Sequence, residues 1–159
     1  MGLIATGIGY DCHRFAEGRP LILGGVEVPF ERGLDGHSDA DVLTHAVIDA
    51  LLGAAALGDI GQHFPDTDER YRGADSIELL RAAGGMLDEH GVTVLHVDAT
   101  VVIEHPAVAP HRDAIRGRLA EAMGIAPGQV NVKATRGEGM GFVGQGEGAA
   151  ALALATVER

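Results

Sequence analysis

Ten consecutive residues, Gly36 to His45, constrain this chain more than any other stretch: Gly-His-Ser-Asp-Ala-Asp-Val-Leu-Thr-His. Ser38 followed three residues later by Asp41 has capping-box spacing, with Asp standing where Glu or Gln is commoner. Apolar residues at Val42, Ala46, Val47, Ala50, Leu51 and Ala54 then recur at helical spacing. The expectation is a helix from Asp39 to Leu57, stopped before Gly58. His45 lies four residues after Asp41, on the same face and close to a helix N-terminus, where free N–H groups and the dipole favour an anion. His37 stands just before the cap. Two imidazoles, two carboxylates and a free helix end are more than capping requires.

Around this helix the chain alternates between two periodicities. Leu3 to Phe15 reads as a strand, and Leu21–Leu23 and Val26–Pro29 flank Gly24-Gly25, a two-residue hairpin signal. Asp59 to Gly73 is a loop of turn formers too long to be a mere connection. A second helix is expected from Asp75, with Glu78 completing a cap pattern, to Gly91. Val92 to Glu104 is a long β-branched run and should be a central strand. A third helix follows Pro110 and ends near Met123, with Gly124 as its stop, and Gln129 to Thr135 is a further strand. Ala149 to Val157 suits either a buried strand or a helix, because periodicity does not separate the two. With no repeat and no linker, this order predicts a single α/β (α+β) domain over residues 1–159.

Composition narrows the function classes. At 159 residues one core suffices, since such a domain buries roughly two-thirds of its unfolded surface. The chain is 46% hydrophobic but only 4% aromatic, so its core must be built of Ala, Val, Leu and Ile. That aromatic supply is too thin for base-stacking recognition of single strands. Twelve Lys and Arg against 23 Asp and Glu give a net charge of −11, which disfavours nucleic acid and anionic membranes as partners. An anionic ligand would therefore need metal ions or helix ends to reverse the field locally. Cys12 is the sole cysteine, which excludes an internal disulfide and fits a reducing compartment. Leu3 to Gly9 is too short for a signal peptide and lacks a basic start, and no charge-free apolar run reaches about 18 residues. A cytoplasmic protein is the expectation.

Three constellations carry chemistry. Asp11 and His13, two apart on a strand, leave the same face. With His45 they supply three ligands and leave a fourth position open, the composition of a catalytic zinc site. Taken alone, the Asp-x-His pair also reads as a satisfied polar pair. Asp59-Ile60-Gly61 and Phe64-Pro-Asp66-Thr-Asp68 can present carboxylates and backbone amides to a polyol, or form an ordinary solvated loop with Asx-turns. Thr135-Arg136-Gly137-Glu138 joins a hydroxyl, a guanidinium, a free backbone and a carboxylate, which suit phosphate with a divalent cation. Its plain reading is a glycine-rich turn with solvated charges.

Gly139-Met-Gly-Phe-Val-Gly144 spells G-x-G-x-x-G but is followed by only 15 residues, too few for a dinucleotide-binding unit. Cys12 should point away from Asp11 and His13, and no serine or cysteine triad pattern is present, which disfavours covalent catalysis.

Gly9-Tyr-Asp-Cys-His13, His37-Ser-Asp-Ala-Asp41 with His45, Gly58-Asp-Ile-Gly61 with Phe64 to Asp68, and Val132-Lys-Ala-Thr135 through Gly146-Glu-Gly148 together resemble one family, in order and over essentially the whole chain. It is the 2-C-methyl-D-erythritol 2,4-cyclodiphosphate synthases of the non-mevalonate isoprenoid pathway. The resemblance implies a cyclising lyase that releases CMP from a cytidine diphosphate substrate. It also implies a mixed β-sheet with helices on one face, and a homotrimer formed through the sheets with active sites between subunits. Zn²⁺ would sit on Asp11, His13 and His45, and a second divalent cation, Mg²⁺ or Mn²⁺, on Glu138 and the substrate phosphates.

By the same resemblance His37, Ser38, Asp59, Ile60, Gly61, Phe64 and Asp66 would face the methylerythritol part, and Asp11, His13 and Asp68 are further expected substrate contacts. Residues Ile103 to Ala109, with Ala134, Thr135 and Arg136, would hold the cytidine and its diphosphate, and Phe142 and Gln145 complete the expected contacts. His37, Arg136 and Glu138 would act on the reacting groups.

Three positions depart from the family pattern. Arg136 stands where a second threonine is usual, Ala107 where a lysine is common, and Gln145 where an arginine lines an axial cavity in some relatives. A metal-dependent phosphohydrolase, or a non-catalytic trimeric metal- or nucleotide-binding protein, would use the same residues.

Overall fold

A computed structural model describes residues 2–159 of the protein. Strand β1 (Ile4–Ala16) alternates strictly, its even-numbered residues facing outward and its odd-numbered residues inward. Inward-facing Gly7 and Gly9 let the strand lie directly on helix α1 (Val42–Ala54), since a Cβ at either would collide with the carbonyl oxygen of Ala50 or Ala46. That close approach brings the following inward residues, Asp11 and His13, level with the first turn of the helix.

Helix α1 starts later than its sequence suggests. Ala40 adopts φ 57°, which interrupts the chain, and the N-cap is Asp41 rather than Ser38. The Asp41 carboxylate is completely buried and accepts from Thr44 N–H (3.0 Å), Thr44 Oγ1 (2.7 Å), Gly24 N–H (2.9 Å) and Gly25 N–H (2.7 Å). Burial, then the neighbouring Asp39, push this carboxyl up, against the pull of those hydrogen bonds. Asp41 therefore ties the hairpin of β2 (Leu21–Leu23) and β3 (Val26–Val28) to the helix, and it does not join His45 in a site. The helix ends at Ala54, where Ala56 and Gly58 take positive φ.

Asp59 to Gly73 is more ordered than a loop. Asp59 and Gln62 form a reciprocal capping box on the short helix α2 (Ile60–His63), and Glu69–Tyr71 is a 3₁₀ turn. Helix α3 (Ser76–Glu89) is capped by Asp75 through Ile77 N–H, while Glu78 pairs with Arg81 instead of reaching back.

The main sheet also contains β4 (Gly33–Leu34), β5 (Thr93–Val102), β6 (Val130–Thr135) and β7 (Gly148–Glu158), in the order β4-β1-β7-β5-β6. It is mixed: β5 and β6 are parallel, joined through α4 (Arg112–Met123), and the other pairs are antiparallel. Gly124, at φ 69°, ends α4 as expected. The open question of the last segment resolves as a strand, because β7 is hydrogen-bonded on both sides, to β1 and to β5. Its alanines 149, 151, 153 and 155 are buried on the side covered by α1.

Helices cover one face of the sheet. The other exposes Ile4, Ile8, Tyr10, Leu152 and Leu154. No helix among the described residues is long and apolar enough to cross a membrane.

Candidate metal centre and cleft

Strand β1 and helix α1 deliver three donor atoms to one point. Asp11 Oδ2 lies 2.8 Å from His13 Nε2 and 3.0 Å from His45 Nδ1, and the two imidazole nitrogens are 3.3 Å apart. Among the described residues this is the one group of three or more His, Cys, Asp or Glu side chains placed to hold a metal. Two imidazoles and a carboxylate are the donor set of a catalytic zinc site, and metal–ligand bonds of about 2.0–2.2 Å at tetrahedral angles imply donor separations of about 3.3–3.5 Å. The observed triangle needs to widen by only a few tenths of an ångström at two of its edges. The residues fit the ion.

Electrostatics favour a cation there. Burial pushes the Asp11 carboxyl up, but its contacts with the His13 and His45 rings outweigh it and hold the group at about 2. Burial pulls His13 down, yet its hydrogen bond and charge attraction to Asp11 leave it raised. His13 Nδ1 donates to the Asp35 carbonyl oxygen at 2.9 Å, which aims Nε2 at the centre.

The centre opens into a cleft of ≈ 470 Å³ that collects much of the sequence-predicted set: His13, His45, His37, Ser38, Ile60, Gly61, Phe64 and Asp66. His37 Nε2 is anchored on the Asp68 carbonyl oxygen at 2.9 Å. Asp49 accepts from Ile60 N–H at 2.8 Å and fixes the near edge of α2. Two predicted residues serve the walls instead: the Asp59 carboxylate caps α2, and the Asp68 carboxylate binds Arg70.

The remaining predicted residues lie elsewhere. Ala134, Thr135 and Arg136 line a second cleft, of ≈ 190 Å³, with Ile103, Glu104 and the segment Pro106 to Ala109. Among the described residues, none lines both clefts. Glu104 accepts from Gly137 N–H (2.8 Å) and Gly139 N–H (3.0 Å), clamping the turn that carries Glu138, itself at φ 55°. Beyond that turn, Gly141–Gly144 forms the single-turn helix α5. Gln145 Nε2 donates to the Gly139 carbonyl oxygen at 2.6 Å, and Phe142 lines a small cleft with Cys12 and His13.

Sequence reasoning missed Pro65, Tyr71 and Leu79 in the first cleft. Tyr71 meets Phe64 edge-on, with ring centroids 5.6 Å apart. A signal existed in two aromatics bracketing an otherwise polar loop, but the cleft itself is made by folding.

These features have close counterparts. The YgbB family profile matches residues 4–158. The chain is 58% identical to the 2-C-methyl-D-erythritol 2,4-cyclodiphosphate synthase of Alkaliphilus metalliredigens, over 96% of each chain. It is 60% identical to that of Synechococcus sp. strain JA-2-3B'a(2-13), over 93% of this chain and 94% of the other. A solved structure of such a synthase in a CDP-bound form superposes with a TM-score of 0.87 at 36% identity, covering 96% of this chain and 99% of that one. The bifunctional IspDF protein of Campylobacter jejuni gives a TM-score of 0.96 at 40% identity, with 99% of this chain matched to 43% of that longer one. The chain belongs to the YgbB family, that of the 2-C-methyl-D-erythritol 2,4-cyclodiphosphate synthases.

Proposed function

We propose that this chain converts 4-diphosphocytidyl-2-C-methyl-D-erythritol 2-phosphate to 2-C-methyl-D-erythritol 2,4-cyclodiphosphate with release of CMP. The observation that carries the reading is the convergence of Asp11, His13 and His45 beside a cleft lined by His37, Ser38, Ile60, Gly61, Phe64 and Asp66. In the reaction an oxygen of the 2-phosphate bonds to the β-phosphorus. The bond from that phosphorus to the bridging oxygen breaks, and its electron pair leaves with CMP. A phosphomonoester with a second pKa near 6 is already mostly ionised at neutral pH, so the attack needs no general base. What it needs is two anions held together, and good positioning is worth effective molarities of about 10⁵ M or more.

Asp11, His13 and His45 would hold Zn²⁺, and Glu138 with the substrate phosphates would hold Mg²⁺ or Mn²⁺. Such ions supply charge neutralisation and Lewis acidity at the phosphates. The chain's own residues do the rest. Ile60, Gly61 and Phe64 form an apolar wall for the methylerythritol carbon skeleton, with Ser38 and Asp66 for its hydroxyls. Ala134 to Arg136 and Ile103 to Ala109 take the cytidine and its diphosphate. His37 and the exposed Arg136 oppose the charge that develops on the phosphates.

Within one subunit these two groups of residues occupy separate clefts. A trimer assembled through the open sheet face would bury the exposed Ile4, Ile8, Tyr10, Leu152 and Leu154, and in it one subunit's first cleft would meet a neighbour's second. Sedimentation should return three times the chain mass of 16.4 kDa. A cytoplasmic location accords with the lone exposed Cys12.

The test is ³¹P NMR of the purified protein with that substrate, Zn²⁺ and Mg²⁺. A cyclic diphosphate appearing in step with CMP is the expected result. CMP accompanied only by open-chain phosphates would replace the reading with a phosphohydrolase, and intact substrate with both metals bound would replace it with a binding protein.

A further inference from the structure

The side of His45 turned away from Asp11 and His13 is as closely engaged as the side facing them. His45 Nε2 lies 2.8 Å from the Oγ of Ser76, the first residue of α3, which is fully buried. The Ser76 hydroxyl is hydrogen-bonded in turn to Asp39 Oδ1, and Ser76 N–H donates to Asp39 Oδ2 at 3.0 Å. Asp39 Oδ1 also accepts from Asp41 N–H at 3.1 Å, so the carboxylate is held from two directions.

A serine hydroxyl owns one proton, and an ionised carboxylate can only accept. The Ser76 proton therefore points to Asp39, and Ser76 Oγ offers His45 a lone pair. The hydrogen in the His45–Ser76 contact must then sit on Nε2. Nδ1, 3.0 Å from Asp11 Oδ2, is left as the nitrogen that binds a cation. Ser38 Oγ lies 3.2 Å from the same Nε2, farther away than Ser76 Oγ.

We propose that Ser76 and Asp39 are positioning residues that lock the His45 ring with its proton on Nε2, so that Nδ1 completes the metal centre with Asp11 and His13. The inference rests on the reading of Asp11, His13 and His45 as metal ligands. His13 is oriented by a backbone carbonyl, whereas His45 is oriented by a buried serine and an aspartate. The second device runs through α3, so the seating of that helix on the residues before α1 sets the aim of a ligand in α1.

The experiment uses the full chain loaded with zinc and labelled with ¹⁵N-histidine. The wild-type protein should show the His45 proton on Nε2, in slow exchange with water because Ser76 accepts it. Ser76→Ala should speed that exchange and weaken zinc binding, read by chelator competition, about 10- to 100-fold. Ser76→Thr keeps the hydroxyl and should restore both readouts. A His45 proton on Nδ1 in the wild type, or unchanged zinc affinity in Ser76→Ala, overturns the proposal. The wild-type spectrum needs no variant, so the test stands even if Ser76→Ala fails to fold. His45→Ala separates the two readings: if it too keeps wild-type zinc affinity, the ligand assignment is what fails.

Discussion

Asp11, His13 and His45 project from β1 and α1, two elements locked together by glycine and alanine, and each histidine is fixed by a second contact at its other ring nitrogen. Arg136 and Glu138 instead stand exposed on the glycine-rich turn between β6 and β7, held mainly by the Glu104 carboxylate. The contrast separates two ways of making a site. The first region is preorganised within one chain, as ion binding demands, since donors must sit within a few tenths of an ångström of their final places. The second presents charged groups whose partners must come from outside the chain: a phosphate, a cation or a neighbouring subunit.

The two regions should break differently. Largest is His45→Ala, which should abolish turnover and strip zinc together; normal turnover in that variant would sink the ligand assignment. Next is Gly9→Ala, whose new Cβ would strike the Ala46 carbonyl oxygen and force β1 off α1. A loss of about 3 kcal/mol in urea denaturation is expected, with weakened zinc binding, and an unmoved midpoint would show that the helix can retreat at little cost. In the second region Arg136→Ala should lower turnover by about 10²-fold, the usual loss for one charge-stabilising donor. Stability should stay within about 0.5 kcal/mol and zinc content should not change, so a fall in either would contradict the separation of the regions.

The smallest effect concerns the clamp. N–H groups of Gly137 and Gly139 hold the Glu104 carboxyl below the ordinary glutamate range. Because the folded-state value is the lower one, the clamp stabilises the fold above the unfolded-chain value of about 4.3 and is lost as pH falls through the depressed value. Amide exchange at Gly137 and Gly139 should therefore quicken in acid in the wild type, relative to β6, and be insensitive to pH in Glu104→Gln after correction for intrinsic rates. Equal acid sensitivity in both proteins would assign the loosening to another group.

Much was legible in the amino-acid order because it depends on local geometry. The two-residue period of β1 puts Asp11 and His13 on one face and Cys12 on the other, and the 3.6-residue period of α1 commits His45 to a helix. Gly24-Gly25 marks a hairpin and Gly124 a helix end, since both need positive φ. Tertiary structure decided the rest. It moved the cap of α1 from Ser38 to Asp41, because a buried carboxylate finds four donors there, two of them in a hairpin 16 and 17 residues away. It made Gly148–Glu158 a strand, because β1 and β5 offer ladders on both sides that no apolar pattern announces. It also brought Ser76 onto a histidine 31 residues away. Local periodicity follows from each residue's own backbone, whereas caps, ladders and ligand tautomers are set by whichever distant groups fold up beside them, where leaving a buried donor or acceptor unpaired costs about 1–3 kcal/mol.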